Sequence, residues 1–246
     1  MSDVDLYLLG SGIRGTLQMS RETVQALATC RVVYILHDDL MVHDYVRSLG
    51  PVVVDLARVY EGEHQRSHVY RRISEELVAE AQRAPGVAFL VHGHPLFLVS
   101  ATEYTLELAR AMGVRVACLP GVSSFDTLLC DLEVDYGYGL QMFDATTLLD
   151  NGWQPNPAVP MLVFQLSTTR NPQVVIGDPD ARVLEPLVEL LARVYSPHHK
   201  CVLVHSGAHL LETTERREVP IGELVTAAAG VLWRRPTLYV PPVDPS

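Results

Sequence analysis

Short apolar runs recur along the chain, and each of the early ones gives way to a polar break and then to apolar residues at helical spacing. Residues 4–9, 31–36, 51–56, 86–91 and 115–119 read as strands. They are valine-rich and apolar almost throughout, as strands covered on both faces must be. The intervening segments carry helix signals. Ser20 stands as N-cap before RETVQALATC, and Asp38 or Asp39 does so before the helix that follows the second strand. A third helix is expected from near Glu63 through residue 84, with Ile73, Leu77, Val78 and Ala81 as its apolar stripe. A fourth is expected over residues 101–112, capped by Ser100 or Thr102. Four strand–helix alternations predict an α/β domain with a parallel sheet.

The pattern changes from Asp131. YGYGLQMFDATTLL reads as a loop and then a short helix, and residues 151–160 hold three prolines, the best linker candidate in the chain. After it come a strand in MLVFQLS, a helix over 180–195, and a strand over 200–205 ending in SGAH. ERREVPIGELV contains a short strand and a capped turn, and a strand over 237–240 precedes a proline-rich stop. This half predicts a mixed sheet. The expectation is therefore two α/β lobes, residues 1–120 and 121–246, with a ligand cleft between them.

Composition narrows the function. With 19 basic and 29 acidic residues the net charge is −10, which argues against broad nucleic-acid binding. No apolar run is long enough to span a bilayer, and MSDVDLYLLG lacks the basic start of a signal peptide. Cys30, Cys118, Cys130 and Cys201 lie far apart without CxxC spacing, which predicts reduced, structural thiols, no zinc site and a cytoplasmic protein.

Five stretches carry candidate chemistry. GSGIRG follows the first strand in the form of a dinucleotide fingerprint, but TLQM separates it from the helix that Ser20 caps. The glycine loop therefore does not open the helix, as a pyrophosphate site requires. HDDLMVHDYV holds two histidines and three aspartates and reads as a capped surface helix rather than a metal site. The fourth strand ends in HGHP, at the carboxyl end of a parallel sheet where ligands bind, and PGVSS follows the fifth. DLARVYEGEHQRSHVYRR, residues 55–72, places Arg66 and Tyr70 one helical turn apart with Tyr60 just upstream. A phenol and a permanent cation together can take a reluctant proton and hold the resulting anion. His64 and His68 share that helix, with no third metal ligand near them in sequence.

LYLLGSGIRGTLQMSRETVQALATCRVVYI, VAFLVHGHPLFLVSA and RVACLPGVSSFD, in this order and spacing, resemble the tetrapyrrole-methylase superfamily. The resemblance implies a two-lobed α/β fold that binds S-adenosylmethionine (SAM) between its lobes. GHP stands where tetrapyrrole methylases carry Gly-Asp-Pro, which argues against a porphyrinoid substrate. GHPLFLVSA, the Tyr60–Arg66–Tyr70 spacing and LPGVSSFDTLLCDLEVDYGYG are similar instead to the borosin peptide-backbone α-N-methyltransferases. That branch implies Tyr60, Arg66 and Tyr70 as catalytic residues. It implies His92, Gly93, His94, Pro95, Phe97, Ser123, Ser124, Leu166, Gly207 and Thr237 around SAM. It further implies a homodimer and, because the sequence ends at PPVDPS, a separate precursor peptide as substrate. A borosin often has tyrosine where His92 stands. The alternatives are a methyltransferase of the same fold acting on a corrinoid, a nucleotide or a protein side chain, and a catalytically silent SAM-binding protein.

Overall fold

A computed structural model describes residues 4–175, 177–209 and 212–243. The last three residues of the proline-rich ending lie outside the described residues. The chain forms two compact units. The first runs to Thr127 and takes in Ala208 and His209; the second takes 128–207 and the chain from Glu212 onward.

The first unit is built on five parallel strands: β1 (Leu6–Gly10), β2 (Val32–Leu36), β3 (Val52–Asp55), β4 (Val87–Val91) and β5 (Val116–Leu119). Their order is β3-β2-β4-β1-β5. β4 is buried along its whole length, as its unbroken VAFLV demands. Helices α1 (Arg21–Thr29), α2 (Leu40–Ser48), α3 (Arg66–Arg83) and α4 (Ser100–Ala111) connect the strands. One face of the sheet packs Leu9, Val33, Ile35 and Leu90 against Leu27 of α1 and Val42 and Val46 of α2.

The caps follow local chemistry. Ser20 Oγ accepts the Thr23 amide at 3.0 Å, and Asp39 Oδ1 accepts the Met41 amide at 2.8 Å, so both expected N-caps hold. The α4 cap differs: Val99 occupies the position without a side-chain bond, and Ser100 is already the first helical residue. α3 starts three residues later than expected. Gly62 turns the chain at φ 70°, and the Glu63 carboxylate accepts the His64 and Gln65 amides at 2.9 and 3.1 Å, which holds this segment as a turn. The expected stripe of α3 is buried, together with Val69 and Ser74.

α5 (Ser124–Leu132) leads into the second unit, whose strands are β6 (Gln141–Asp144), β7 (Met161–Phe164), β8 (Lys200–His205), β9 (Glu215–Pro220) and β10 (Thr237–Val240). The sheet order is β6-β7-β10-β8-β9. Only the β6–β7 pair is parallel, so the sheet is mixed, as expected. β6 corrects the reading of residues 136–149 as loop and helix: QMFD pairs with MLVF, and α6 (Ala145–Asp150) begins only after it. Asp144 caps α6 by accepting the Thr147 amide at 2.8 Å. The helix expected over 180–195 is a 3₁₀ turn (Ala181–Leu184) followed by α7 (Glu185–Tyr195), with Pro186 in its first turn, where a missing N–H costs nothing. α8 (Leu224–Ala228) completes the cover of a core that includes Leu148, Met161, Leu187, Leu203 and Leu238.

Of the cysteines, Cys30 and Cys201 are buried, and burial pushes their thiols up to about 11 and about 12, which makes them inert at neutral pH. Cys130 is exposed, unlike the others. Among the described residues no helix is long and apolar enough to cross a membrane.

Candidate functional site

Three adjacent strand ends define the site in the first unit. β2 aligns Ile35 with Asp55 of β3 and Leu36 with Val91 of β4, so all three strands stop at one level. The residues just beyond are Leu56, His37 and His92. Neighbouring strands lie about 4.8 Å apart, which puts the exits of β3 and β4 about 10 Å from each other with the β2 exit between them.

From β3 the chain enters a 3₁₀ turn (Ala57–Tyr60), started by Asp55, whose carboxylate accepts the Ala57 amide at 2.8 Å. Val59 is buried and anchors the turn, and Arg58 pairs with Glu76 of α3. Tyr60 ends the turn half-buried, and Arg66 and Tyr70, also half-buried, lie one turn apart at the start of α3. The next turn of α3 is locked to α4. Ser74 Oγ donates to the Tyr70 carbonyl at 2.8 Å, and Thr105 Oγ1 lies 3.1 Å from Ser74 Oγ and 2.7 Å from the Ala101 carbonyl. Tyr70 therefore stands on fixed backbone. His68 lies 3.6 Å from the Glu63 carboxylate.

The exits of β1, β4 and β5 meet closely. Gly12 and Gly93 exchange backbone hydrogen bonds at 3.2 and 3.0 Å. A Cβ on Gly10 would stand 2.3 Å from the Gly93 carbonyl oxygen, and one on Gly121 would stand 2.5 Å from it. Gly93 has φ 76°, where L side chains are strained. Glycine at these positions brings three loops to one point at the carboxyl edge of the sheet. The rest of the HGHP turn is ordered by its own polar atoms. His94 Nδ1 accepts the Leu96 amide at 3.0 Å, the His94 carbonyl accepts the Phe97 amide at 3.2 Å, and Pro95 is buried. Phe97 faces Phe125 with ring centroids 6.5 Å apart. Ser123 is buried and committed to capping: its amide and hydroxyl donate to Asp126 Oδ2 at 2.6 and 2.7 Å. Ser124 opens α5.

The sequence favours a capped helix start for the segment that holds His37, yet His37 pairs with His92: Nε2 of His37 lies 3.1 Å from Nδ1 of His92. The rings meet edge-on, with centroids 4.8 Å apart. Burial pushes the His37 imidazole down to about 4 from 6.5, with the neighbouring His92 adding to the shift, so it is neutral at pH 7. A signal for the pair existed in the sequence, because each histidine directly follows an apolar strand. Their adjacency depends on β2 and β4 being neighbours, which the sequence order hides.

In the second unit, Leu166 lies in a 3₁₀ turn after β7 and is fully buried in the core. Gly207 is buried, and a Cβ there would stand 2.3 Å from the Glu212 carbonyl oxygen. Thr237 opens β10 opposite Val204 of β8 and is buried. Beside this loop, Asp131 accepts hydrogen bonds from Ser206 at 2.5 Å and Thr214 at 2.7 Å.

Residues 5–224 match the model of the tetrapyrrole (corrin/porphyrin) methylases, and the chain belongs to that family. Over 97% of its length it is 27% identical to a methyltransferase/ribosomally synthesized type I borosin cyclic peptide precursor of Serendipita vermifera subsp. bescii. A similar type I borosin precursor of Coprinopsis marcescibilis is 26% identical over 98% of the chain. The chain spans 59% and 63% of the lengths of these two relatives. Among solved structures, uroporphyrin-III C-methyltransferase from Thermus thermophilus, in a form complexed with S-adenyl homocysteine, is similar with a TM-score of 0.60 at 19% identity, over 96% of this chain and 95% of that one.

Proposed function

We propose that this protein is a SAM-dependent methyltransferase that N-methylates backbone amides of a ribosomally made precursor peptide. The observation that carries the reading is the placement of Tyr60, Arg66 and Tyr70 directly beyond β3, in the same row of strand ends as the HGHP turn after β4. The borosin relatives, similar over nearly the whole chain, support the peptide as the substrate class.

The residues present fit SAM. Gly10, Gly93 and Gly121 bring bare backbone to one point, and Phe97 and Phe125 offer an aromatic surface for a nucleobase. His92, Gly93, His94, Pro95, Phe97, Ser123 and Ser124 of the first unit would hold it. When bound, SAM supplies an electrophilic methyl group. Since both the Ser123 amide and its hydroxyl are engaged with Asp126, that residue would act by ordering the turn.

An amide nitrogen is a poor nucleophile because its lone pair is delocalised into the carbonyl. Tyr60 or Tyr70, as phenolate, takes the amide proton. The Arg66 guanidinium stabilises negative charge that builds on the amide oxygen. The turn before α3 and the Ser74–Thr105 lock hold these groups on ordered backbone, so orientation is supplied before substrate arrives. The reading carries a homodimer with it, which light scattering on the purified protein tests.

The deciding experiment is mass spectrometry of short peptides encoded beside the gene, co-expressed with the enzyme. Fragmentation that places added methyl groups on backbone nitrogens supports the proposal. Methyl groups only on side chains, or none while SAM binds by calorimetry, would sink it.

A further inference from the structure

We propose that His92 is a neutral hydrogen-bond donor to the substrate's amide oxygen, and that His37 is the positioning residue that fixes which His92 nitrogen carries the proton. This deepens the proposed function and rests on it for the identity of the acceptor. Asp39 N–H donates to His37 Nδ1 at 2.9 Å, so that nitrogen presents its lone pair. A neutral imidazole has one N–H, which must then sit on His37 Nε2. That N–H lies 3.1 Å from His92 Nδ1, which can only accept it. By the same rule His92 carries its proton on Nε2. The direction of the relay is set by a peptide group, which cannot change its protonation.

The surroundings hold the relay in place. His43 Nε2 bonds the His37 carbonyl at 2.8 Å, and Asp39 is itself fixed as the α2 cap. With the His37 proton on Nε2, a second proton on His92 Nδ1 would face it across 3.1 Å, so the geometry disfavours protonation there. His92 is exposed, one residue beyond β4 and about 10 Å across the strand ends from the β3 exit that leads to Tyr60. A neutral N–H there suits an amide oxygen that gains negative charge as its nitrogen is deprotonated. It does not suit a general base, which this tautomer rules out at Nε2.

The experiment is ring-nitrogen NMR on the full protein labelled with ¹⁵N-histidine, with His92 assigned by the His92→Gln variant, alongside peptide methylation kinetics. Expected is an Nε2–H tautomer for His92 in the wild type, a mixed tautomer in His37→Ala, and its recovery in His37→Gln, whose amide N–H can reach His92 Nδ1. kcat should fall about a hundredfold in His37→Ala with little change in KM for the peptide, and His37→Gln should restore most of it. A His92 Nδ1–H tautomer in the wild type overturns the proposal whatever the activity, as does an unchanged kcat in a folded His37→Ala protein. A wild type with the Nε2–H tautomer but no peptide methylation would defeat the peptide reading and leave His92 assigned as a donor.

Discussion

Arg115 grips Asp5 with three donors: its amide and Nε bond Oδ2 at 2.9 and 3.0 Å, and a terminal guanidinium nitrogen bonds Oδ1 at 2.8 Å. The pair ties the start of β1 to the start of β5, at the end of the sheet opposite the site. These hydrogen bonds, the side-chain ones foremost, hold the Asp5 carboxyl at about 2, below its ordinary 3.8. The folded state therefore binds this proton less readily than the unfolded chain. The stabilisation is complete above pH 3.8 and is lost as pH falls toward 2. Arg115 is half-exposed, so solvent screening reduces the effect, and Asp5→Asn should cost about 1 kcal/mol in urea unfolding at neutral pH and almost nothing near pH 2.

His37 has the opposite charge type, and its shift gives a second acid limb. Its folded pKa of about 4 lies below the ordinary 6.5, so between these values the unfolded chain takes up a proton that the folded protein refuses. Stability is undiminished above pH 6.5 and falls as pH drops through this window, by up to about 3 kcal/mol. In His37→Gln the fall between pH 6.5 and 4 should shrink by the same amount. Chemical unfolding at several pH values checks both the sign and the window.

The glycines at the carboxyl edge of the first sheet differ from those at exposed turns. A Cβ on Gly121 would meet the Gly93 carbonyl oxygen at 2.5 Å and Gly10 Cα at 2.9 Å, and backbone cannot move aside as a flexible side chain can. Gly113, at φ 69°, has nothing within 4 Å of the same atom. Gly121→Ala should therefore cost about 3 kcal/mol from overpacking. Gly113→Ala should cost about 1 kcal/mol from backbone strain alone. Equal losses in thermal unfolding would show that the loops do not need this close approach.

What could be read in advance from the chain was what local chemistry controls. Ser20 and Asp39 cap their helices because the hydroxyl or carboxylate reaches an amide two or three residues on, a matter of spacing alone. β1, β2 and β4 were legible because strands buried along almost their whole length leave unbroken apolar runs, and the partly exposed edge strands β3 and β5 because they are still valine-rich or apolar. β6 was not, since Gln141 and Asp144 interrupt the apolar pattern and its partner β7 lies beyond a proline-rich stretch. The onset of α3 depended on a Glu63 side chain satisfying amides that a helix would otherwise leave bare. The site divides the same way. Tyr60, Arg66 and Tyr70 are close in sequence and their spacing could be seen, whereas His37 and His92 are 55 residues apart and meet only through strand order.

Tyr60→Phe and Tyr70→Phe separate the two candidate proton acceptors. Both phenols are half-buried, Tyr60 on the 3₁₀ turn and Tyr70 on α3 beside the Ser74 lock, and Arg66 lies one helical turn before Tyr70. Removing a hydroxyl from an ordered position leaves the backbone in place, so Tyr60→Phe and Tyr70→Phe should bind SAM like the wild type. The variant that lacks the proton acceptor should lose about 10²–10⁴ in kcat. The other should lose less and chiefly raise KM for the peptide. Arg66→Lys keeps the charge but not the planar fork, and should fall between wild type and Arg66→Ala. The helical spacing favours Tyr70 as the phenol that Arg66 supports, so Tyr70→Phe is expected to show the larger kcat loss and to gain nothing from Arg66→Ala added on top. Fully multiplicative losses in that double variant would mean that the two residues act independently, and wild-type rates in both Tyr70→Phe and Arg66→Ala would remove them from the chemistry.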